Sequence, residues 1–176
     1  MRSPTPPDQP DDAKRVLTAA LLYASRGLRV FPCHGTTEGH CTCGKAKCAS
    51  PAKHPLIRKW QKQATTDEDK IRRWWAQWPW ANVAIATGEA SGLVVLDADP
   101  RHGGHESLEL LERQHGPLRA ARVRTGGGGV HLYFAHPGEP IRNKVALLPG
   151  IDIRGDGGFV VAPPSRHLSG EEYTWL

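Results

Sequence analysis

Four stretches of this sequence have residue types and spacings that suit chemistry. The first is His40-Cys41-Thr42-Cys43-Gly44-Lys45-Ala46-Lys47-Cys48, followed by His54. The N-terminus, MRSPTPPDQPDD, has no apolar stretch after its arginine and does not read as a secretory signal, so the thiols are expected to stay reduced. Reduced thiolates suit a metal, and zinc takes four sulfur or nitrogen ligands tetrahedrally. Cys41, Cys43, Cys48 and His54 form a compact C-x-C-x4-C-x5-H set, with Cys33, His34 and His40 as reserve ligands. Three thiolates make a poor Lewis acid and leave no open position, so the zinc is expected to be structural and to fold a segment with little core of its own. Lys45, Lys47, Lys53, Arg58, Lys59 and Lys62 cluster on and just after this loop. They read as a contact surface for a phosphate backbone or as a solvated face.

The second stretch is Gly92-Leu93-Val94-Val95-Leu96-Asp97-Ala98-Asp99-Pro100. A hydrophobic strand ending in two aspartates at i and i+2 points both carboxylates the same way. Like charges a few ångströms apart repel unless a cation sits between them, and oxygen-only ligation suits Mg²⁺ or Mn²⁺. A D-x-D at a strand end also serves as a turn or cap.

The third is Thr125-Gly126-Gly127-Gly128-Gly129-Val130-His131, where glycines let backbone N–H groups approach an anion as a phosphate nest does, or simply form a loose hairpin. His131 opens the following strand, where it can serve a phosphate, a metal or the packing. The fourth is Gly150-Ile151-Asp152-Ile153-Arg154-Gly155-Asp156-Gly157-Gly158-Phe159. Asp152 lies inside an apolar strand and needs a partner, either Arg154 on the same face or a metal. Asp156 reads as a turn residue. Together, three carboxylates, a histidine, an arginine and a glycine loop fall at strand ends. Two metal ions held by carboxylates can activate a hydroxyl and neutralise a leaving pyrophosphate.

The elements that must position these residues are short. Val16, Leu17, Ala20, Leu21 and Ala24 recur at helical spacing, with Asp11 or Asp12 as cap and Gly27 as terminator. A second helix is expected from a Thr66 cap to Trp78, and a third over about His105–His115 with Leu108, Leu110 and Leu111 inward. Strands are expected over Leu28–Phe31, Asn82–Thr87, Gly92–Leu96, Ala121–Arg124, Val130–Ala135, Ile151–Arg154 and Phe159–Ala162. Without regular βαβ alternation, the fold class is α+β. At 176 residues, 39% hydrophobic and 23% charged, the chain suits one globular domain and excludes a disordered protein. No apolar run is long enough to cross a bilayer, so no membrane partner is expected and the expected location is cytoplasmic. A balance of 23 Lys+Arg against 18 Asp+Glu, net +5, suits a polyanionic partner. Residues 1–12 read as a disordered leader and residues 13–176 as one catalytic domain, with the zinc-binding insertion at about 33–55. The abrupt apolar end, EEYTWL, reads as the N-terminal part of a longer protein.

D-A-D, G-G-V-H-L-Y-F and G-I-D-I-R-G-D-G-G-F-V-V-A-P-P-S, in this order, resemble the motifs of the primase-polymerase (prim-pol) domain of the archaeo-eukaryotic primase superfamily, the N-terminal domain of bifunctional DNA primase/polymerases. The stretches C-T-C-G-K-A-K-C-A-S-P-A-K-H-P and N-V-A-I-A-T-G-E-A-S-G-L are similar to that family too. The glycine run is longer here than the small-residue pair that usually precedes the histidine. The resemblance implies a mixed-sheet catalytic core with a unit like the RNA-recognition motif (RRM) and a zinc-binding insertion carrying Cys41, Cys43, Cys48 and His54. It implies template-directed nucleotidyl transfer, as DNA primase, DNA polymerase or both, in replication or repair of a bacterial, plasmid or phage replicon. Asp97, Asp99 and Asp152 would hold Mg²⁺ or Mn²⁺. His131 would contact the triphosphate of the NTP or dNTP, assisted by Arg154, Thr125 and the backbone of Gly127, Gly128 and Gly129. The implied partners are DNA template and primer and a helicase, either a C-terminal domain or a separate protein. The residues alone also suit a non-catalytic zinc-containing DNA-binding module that recruits a helicase, or a metal-dependent nuclease.

Overall fold

The computed structural model describes residues 10–176. The leader expected at residues 1–12 lies outside the described residues as far as position 9, and from Pro10 the chain is helical. In chain order the elements are α1 (Pro10–Ser25), β1 (Val30–Cys33), β2 (Thr36–Thr37), β3 (His40–Cys41), α2 (Trp60–Gln63), α3 (Glu68–Gln77), β4 (Asn82–Ala86) and β5 (Leu93–Ala98). A 3-10 turn (Pro100–His102) leads to α4 (Gly104–His115), followed by β6 (Ala121–Arg124), β7 (Val130–Ala135), β8 (Lys144–Leu148), β9 (Ile151–Arg154), β10 (Phe159–Val161) and β11 (Thr174–Trp175). The fold is α+β, and no helix among the described residues is long and apolar enough to cross a membrane.

Helical periodicity accounts for the helices. In α1, Val16, Ala20, Tyr23 and Ala24 are buried at i, i+4, i+7 and i+8, and Asp11 and Asp12 stand in the first turn, where the helix dipole favours carboxylates. In α3 the buried residues are Ile71, Trp74 and Trp75. Its cap is Asp67 rather than Thr66, because the Asp67 carboxylate accepts from the Lys70 N–H at 3.0 Å. In α4, Leu108 is buried but Leu110, two residues on and so on the opposite side of the helix, faces outward.

Apart from β2 and β3, which pair with each other in the cysteine-rich loop, the strands form two antiparallel sheets. The smaller has the order β1-β4-β10, and its central strand, NVAIA, is buried along its whole length. Helices α1 and α3 pack against each other and against β1 and β4. The larger has the order β11-β6-β7-β5-β9-β8. In its inner strands α4 follows β5 and the β6–β7 hairpin follows α4. The parallel component of the pairing is one bridge between Arg142 and Asp156.

Strand alternation decides where the chemistry sits. On β5, Ala98 joins Leu108, Leu132 and Ile151 in the core under α4, with Leu96 against it. Leu93 and Val95 point to the opposite face and enter the core shared with the smaller sheet. Asp97 continues that second row, so a carboxylate replaces an aliphatic side chain where the row reaches the edge of the inter-sheet core.

One buried amide ties three distant segments to β4. Asn82 Nδ2 donates to the Arg166 carbonyl at 2.8 Å, the Ala52 carbonyl at 3.1 Å and the His34 carbonyl at 3.4 Å. Its Oδ1 accepts from the Arg166 N–H at 3.0 Å. Asn82→Ala strands several buried backbone groups at once, and each costs about 1–3 kcal/mol when unsatisfied. Chemical denaturation is expected to show a loss of about 2–4 kcal/mol.

Candidate active site

Antiparallel register sets three of the expected residues in one row. Asp97 on β5 lies directly opposite His131 on β7 on one side and Asp152 on β9 on the other. Directly paired residues of antiparallel strands share a face, so all three side chains leave the sheet on the same side. His131 Nε2 lies 3.5 Å from Asp97 Oδ1, and the Arg154 guanidinium stands 3.5 Å from Asp97 Oδ2 and 2.8 Å from Asp152 Oδ2. Arg154 pairs across with Val95, one turn of the pleat along the same face, which lets it bridge both carboxylates. His131 is almost fully buried, and its Nδ1 has no partner among the described residues.

Asp99 is held differently. It caps the 3-10 turn, its Oδ1 accepting from the Arg101 N–H at 3.0 Å and its Oδ2 taking the Arg101 guanidinium at 2.7 Å. Its backbone is locked as well: its N–H donates to the Gly150 carbonyl and its carbonyl accepts from Gly104. This crossing requires glycine on both sides, since a Cβ at Gly104 would lie 2.6 Å from the Asp99 backbone and one at Gly150 would meet the same carbonyl at 2.6 Å.

Both aspartates are ionised at neutral pH. Burial pushes Asp97 up, but the His131 ring, Arg154 and Lys53 outweigh it and hold the carboxyl below its ordinary value. The Arg101 hydrogen bond, helped by the Arg101 backbone and charge and by His102, holds Asp99 well below the carboxylate range despite a smaller burial effect.

A cavity of about 430 Å³ opens over Asp97 and Asp99. Its wall comes from both sheets. Asp97, Asp99, His131 and Arg154 stand on the larger-sheet side, Phe159 to Val161 on the smaller, and Ser50 and Lys53 come from the cysteine-rich loop. Asp152 does not line it: its Oδ1 accepts from the Ala146 N–H at 2.8 Å, and its Oδ2 takes Arg154. Two ionised carboxylates on one cavity wall, offering only oxygen, fit a hard divalent cation. Arg101 and Arg154 neutralise them here.

The glycine loop closes the β6–β7 hairpin tightly. Gly128 donates to the Thr125 carbonyl and Gly129 to Thr125 Oγ1, so both N–H groups are used inside the turn. Gly127 and Gly129 reach the cavity wall, as does Thr125. Gly126 is packed against His167, where a Cβ would lie 2.3 Å from the histidine Cβ. Gly127 is thus the loop residue with both an unengaged N–H among the described residues and a place on the wall.

The cysteine-rich loop gathers a Cys3His cluster that could hold a metal ion. One ligand atom from each of Cys41, Cys43, Cys48 and His54 lies within 4.8 Å of every other, and the donor set, three sulfurs and one nitrogen, fits zinc. The reserve residues stay out. Cys33 is buried in β1, His34 bonds Thr42 Oγ1 at 2.9 Å and stacks on the His54 ring at 4.2 Å, and His40 is exposed. Burial pushes the Cys41 thiol up, although the Ala52 N–H donates to its sulfur at 3.4 Å.

Asp156 does more than turn the chain. Its carboxylate accepts from the Glu89 and Ile141 N–H groups, at 2.9 and 2.8 Å, pinning the segment before β8 to the β9–β10 turn. That places Asn143 on the cavity wall, where its Oδ1 accepts from the Gly155 N–H at 2.9 Å. Sequence reasoning missed Ser50, Arg101, Asn143 and Trp60 as wall residues. Arg101 alone carried a local signal, a cation two residues beyond a capping carboxylate.

Comparison with known proteins adds a family to this geometry. No curated protein matches the chain. The family model of the N-terminal domain of bifunctional DNA primase/polymerases matches residues 20–176, a span that holds both sheets, the cysteine-rich loop and every wall residue of the cavity. The chain belongs to the Prim-Pol family of bifunctional DNA primase/polymerase N-terminal domains.

Proposed function

We propose that the chain carries out template-directed nucleotidyl transfer to DNA, as primase, polymerase or both, in the inter-sheet cavity. Membership of the Prim-Pol family supports the class of reaction. The observation that carries the reading is the charge arrangement on the cavity wall. Asp97 and Asp99 stand together and ionised, while His131 and Arg154 come from neighbouring strands toward the same space.

In this reading Asp97 and Asp99 hold Mg²⁺ or Mn²⁺, with Asp152 behind them. When bound, the metal lowers the pKa of the attacking hydroxyl and neutralises charge on the departing pyrophosphate. The chain's own residues do the rest. Arg154 and Arg101, which now neutralise the carboxylates, are long enough to turn toward phosphate oxygens once a cation takes their place. His131, with Nε2 on Asp97 and its ring on the cavity wall, is placed to contact the triphosphate. Thr125 shapes the glycine turn through its bonds to Gly128 and Gly129, and the Gly127 N–H is free to donate to a phosphate oxygen. Trp60, stacked on Phe31 at 4.7 Å and edge-on to Phe159 at 4.9 Å, forms a rigid apolar wall suited to a sugar or base. The Cys41, Cys43, Cys48, His54 cluster holds structural Zn²⁺, and a helicase partner serves the same replicon.

The direct test is extension of a labelled primer on a DNA template with dNTPs and Mg²⁺ or Mn²⁺. Asp97→Ala is expected to lower incorporation about a thousandfold, since it removes several kcal/mol of transition-state stabilisation, and to leave the melting transition in place. Wild-type-level extension by that variant sinks the assignment, and shortening of the primer in its place indicates a nuclease. Metal analysis of protein purified without chelator is expected to find about one zinc per chain. Cys43→Ser should reduce that content and expose residues 41–54 to proteolysis. A wild-type protein free of zinc refutes the metal assignment.

A further inference from the structure

Six cations lie on or just after the cysteine-rich loop, and five of them, Lys45, Lys47, Arg58, Lys59 and Lys62, are exposed. Lys53 is the exception. It is half-buried and lines the cavity beside Asp97, Asp99 and Arg154. Those acidic groups already have other partners, Asp97 in His131 and Arg154 and Asp99 in Arg101. The Lys53 ammonium enters no hydrogen bond or ion pair among the described residues. A cation held in a concave wall without a protein partner is placed for an anionic ligand.

The backbone explains why Lys53 turns inward. Ala52 has φ +60, a left-handed conformation that a residue with a Cβ rarely adopts. It is fixed there from two sides, its N–H donating to the Cys41 sulfur at 3.4 Å and its carbonyl accepting from Asn82 at 3.1 Å. On the other flank of Lys53, the His54 carbonyl accepts from the His34 N–H at 2.9 Å while the His54 ring belongs to the metal cluster. The Lys53 N–H closes a turn on Ser50, whose side also reaches the cavity. Backbone strain held in place by its surroundings is a mark of function. Here it lies at Ala52, the hydrogen-bond partner of one cluster ligand, Cys41, and two residues before another, His54.

We infer that Lys53 binds the phosphates of the incoming nucleoside triphosphate, and that the Cys3His cluster acts as a positioning device that sets Lys53 into the nucleotide site. The inference rests on the nucleotidyl-transfer reading above and adds a phosphate ligand and a linkage between metal and nucleotide. Since coupling between two sites is reciprocal, bound triphosphate must in turn hold the loop on its metal.

The test is equilibrium binding of dATP and dAMP with Ca²⁺, without DNA, and zinc content measured on the same samples. Lys53→Met, which keeps the stem and removes the charge, is expected to retain about one zinc, to bind dATP about tenfold more weakly and to bind dAMP nearly as the wild type does. Lys53→Arg should recover most of the loss. Chelating the zinc should bring wild-type dATP affinity down to that of Lys53→Met and change the variant less than about twofold. Saturating dATP should slow transfer of zinc to a chromogenic chelator in the wild type but not in Lys53→Met. Equal dATP affinity in wild type and Lys53→Met overturns the inference and leaves the polymerase reading standing. A wild type that binds no dATP overturns both.

Discussion

Ionisable side chains on an inner face of a packed sheet must meet opposite charges or lie against solvent or a ligand, because desolvated like charges are too costly to leave alone. The row His131, Asp97, Asp152 is built under that constraint. Asp97 sits between a histidine and an arginine, and Asp152 shares the same arginine. Asp99, one step past the strand, carries its own arginine from the following turn. Each carboxylate is therefore stabilised by a long, flexible cation, which can swing away when another cation arrives. A site of this kind is stable before it is loaded and ready to exchange partners.

The two sheets divide the work around that row. Antiparallel pairing on both sides of β5 sets the lateral spacing of the acidic and basic groups with the precision of a backbone ladder. The smaller sheet supplies a dry wall through β10, and the aromatic stack of Phe31, Trp60 and Phe159 keeps that wall rigid. The space between the sheets is closed at one end by aliphatic packing of Leu93 and Val95 and opens where Asp97 interrupts the apolar row. The cysteine-rich loop roofs this opening. It is tied to the core by the Asn82 side-chain amide, by backbone bonds to His34, Gly35 and Pro32 and by the Thr42 hydroxyl on His34, so a cluster that stiffens it has leverage over the cavity.

Much of this was legible from spacing. Alternation over Leu93–Asp97, the glycines before His131, the i,i+2 pair Asp152 and Arg154 and the C-x-C-x4-C-x5-H set all report local geometry, and local geometry is what a periodic pattern encodes. The elements that escaped are those whose patterns carry no period. β8 is an irregular edge strand with Val145 exposed and Ala146 at φ +51, and α2 is a single turn. The Thr66 cap was misplaced by one residue because Thr and Asp at adjacent positions offer the same chemistry, and only the entry angle of the chain chooses between them.

Short-range patterns were enough for the α+β class, most strand positions, the Cys3His set and the acidic residues at strand ends. Each of these depends on residues within a few positions of one another. Tertiary structure alone decided that Asp97, rather than Asp99, is the centre of a three-strand row, and that Asp152 stands behind the cavity on the Ala146 bulge. It also decided that Lys53, among six similar cations, faces the carboxylates. Those outcomes depend on strand register and on hydrogen bonds such as Asn82 to Arg166, between groups more than eighty residues apart. No short-range pattern records such a pairing, because it is selected by the packing of whole sheets rather than by the preferences of neighbours in the chain.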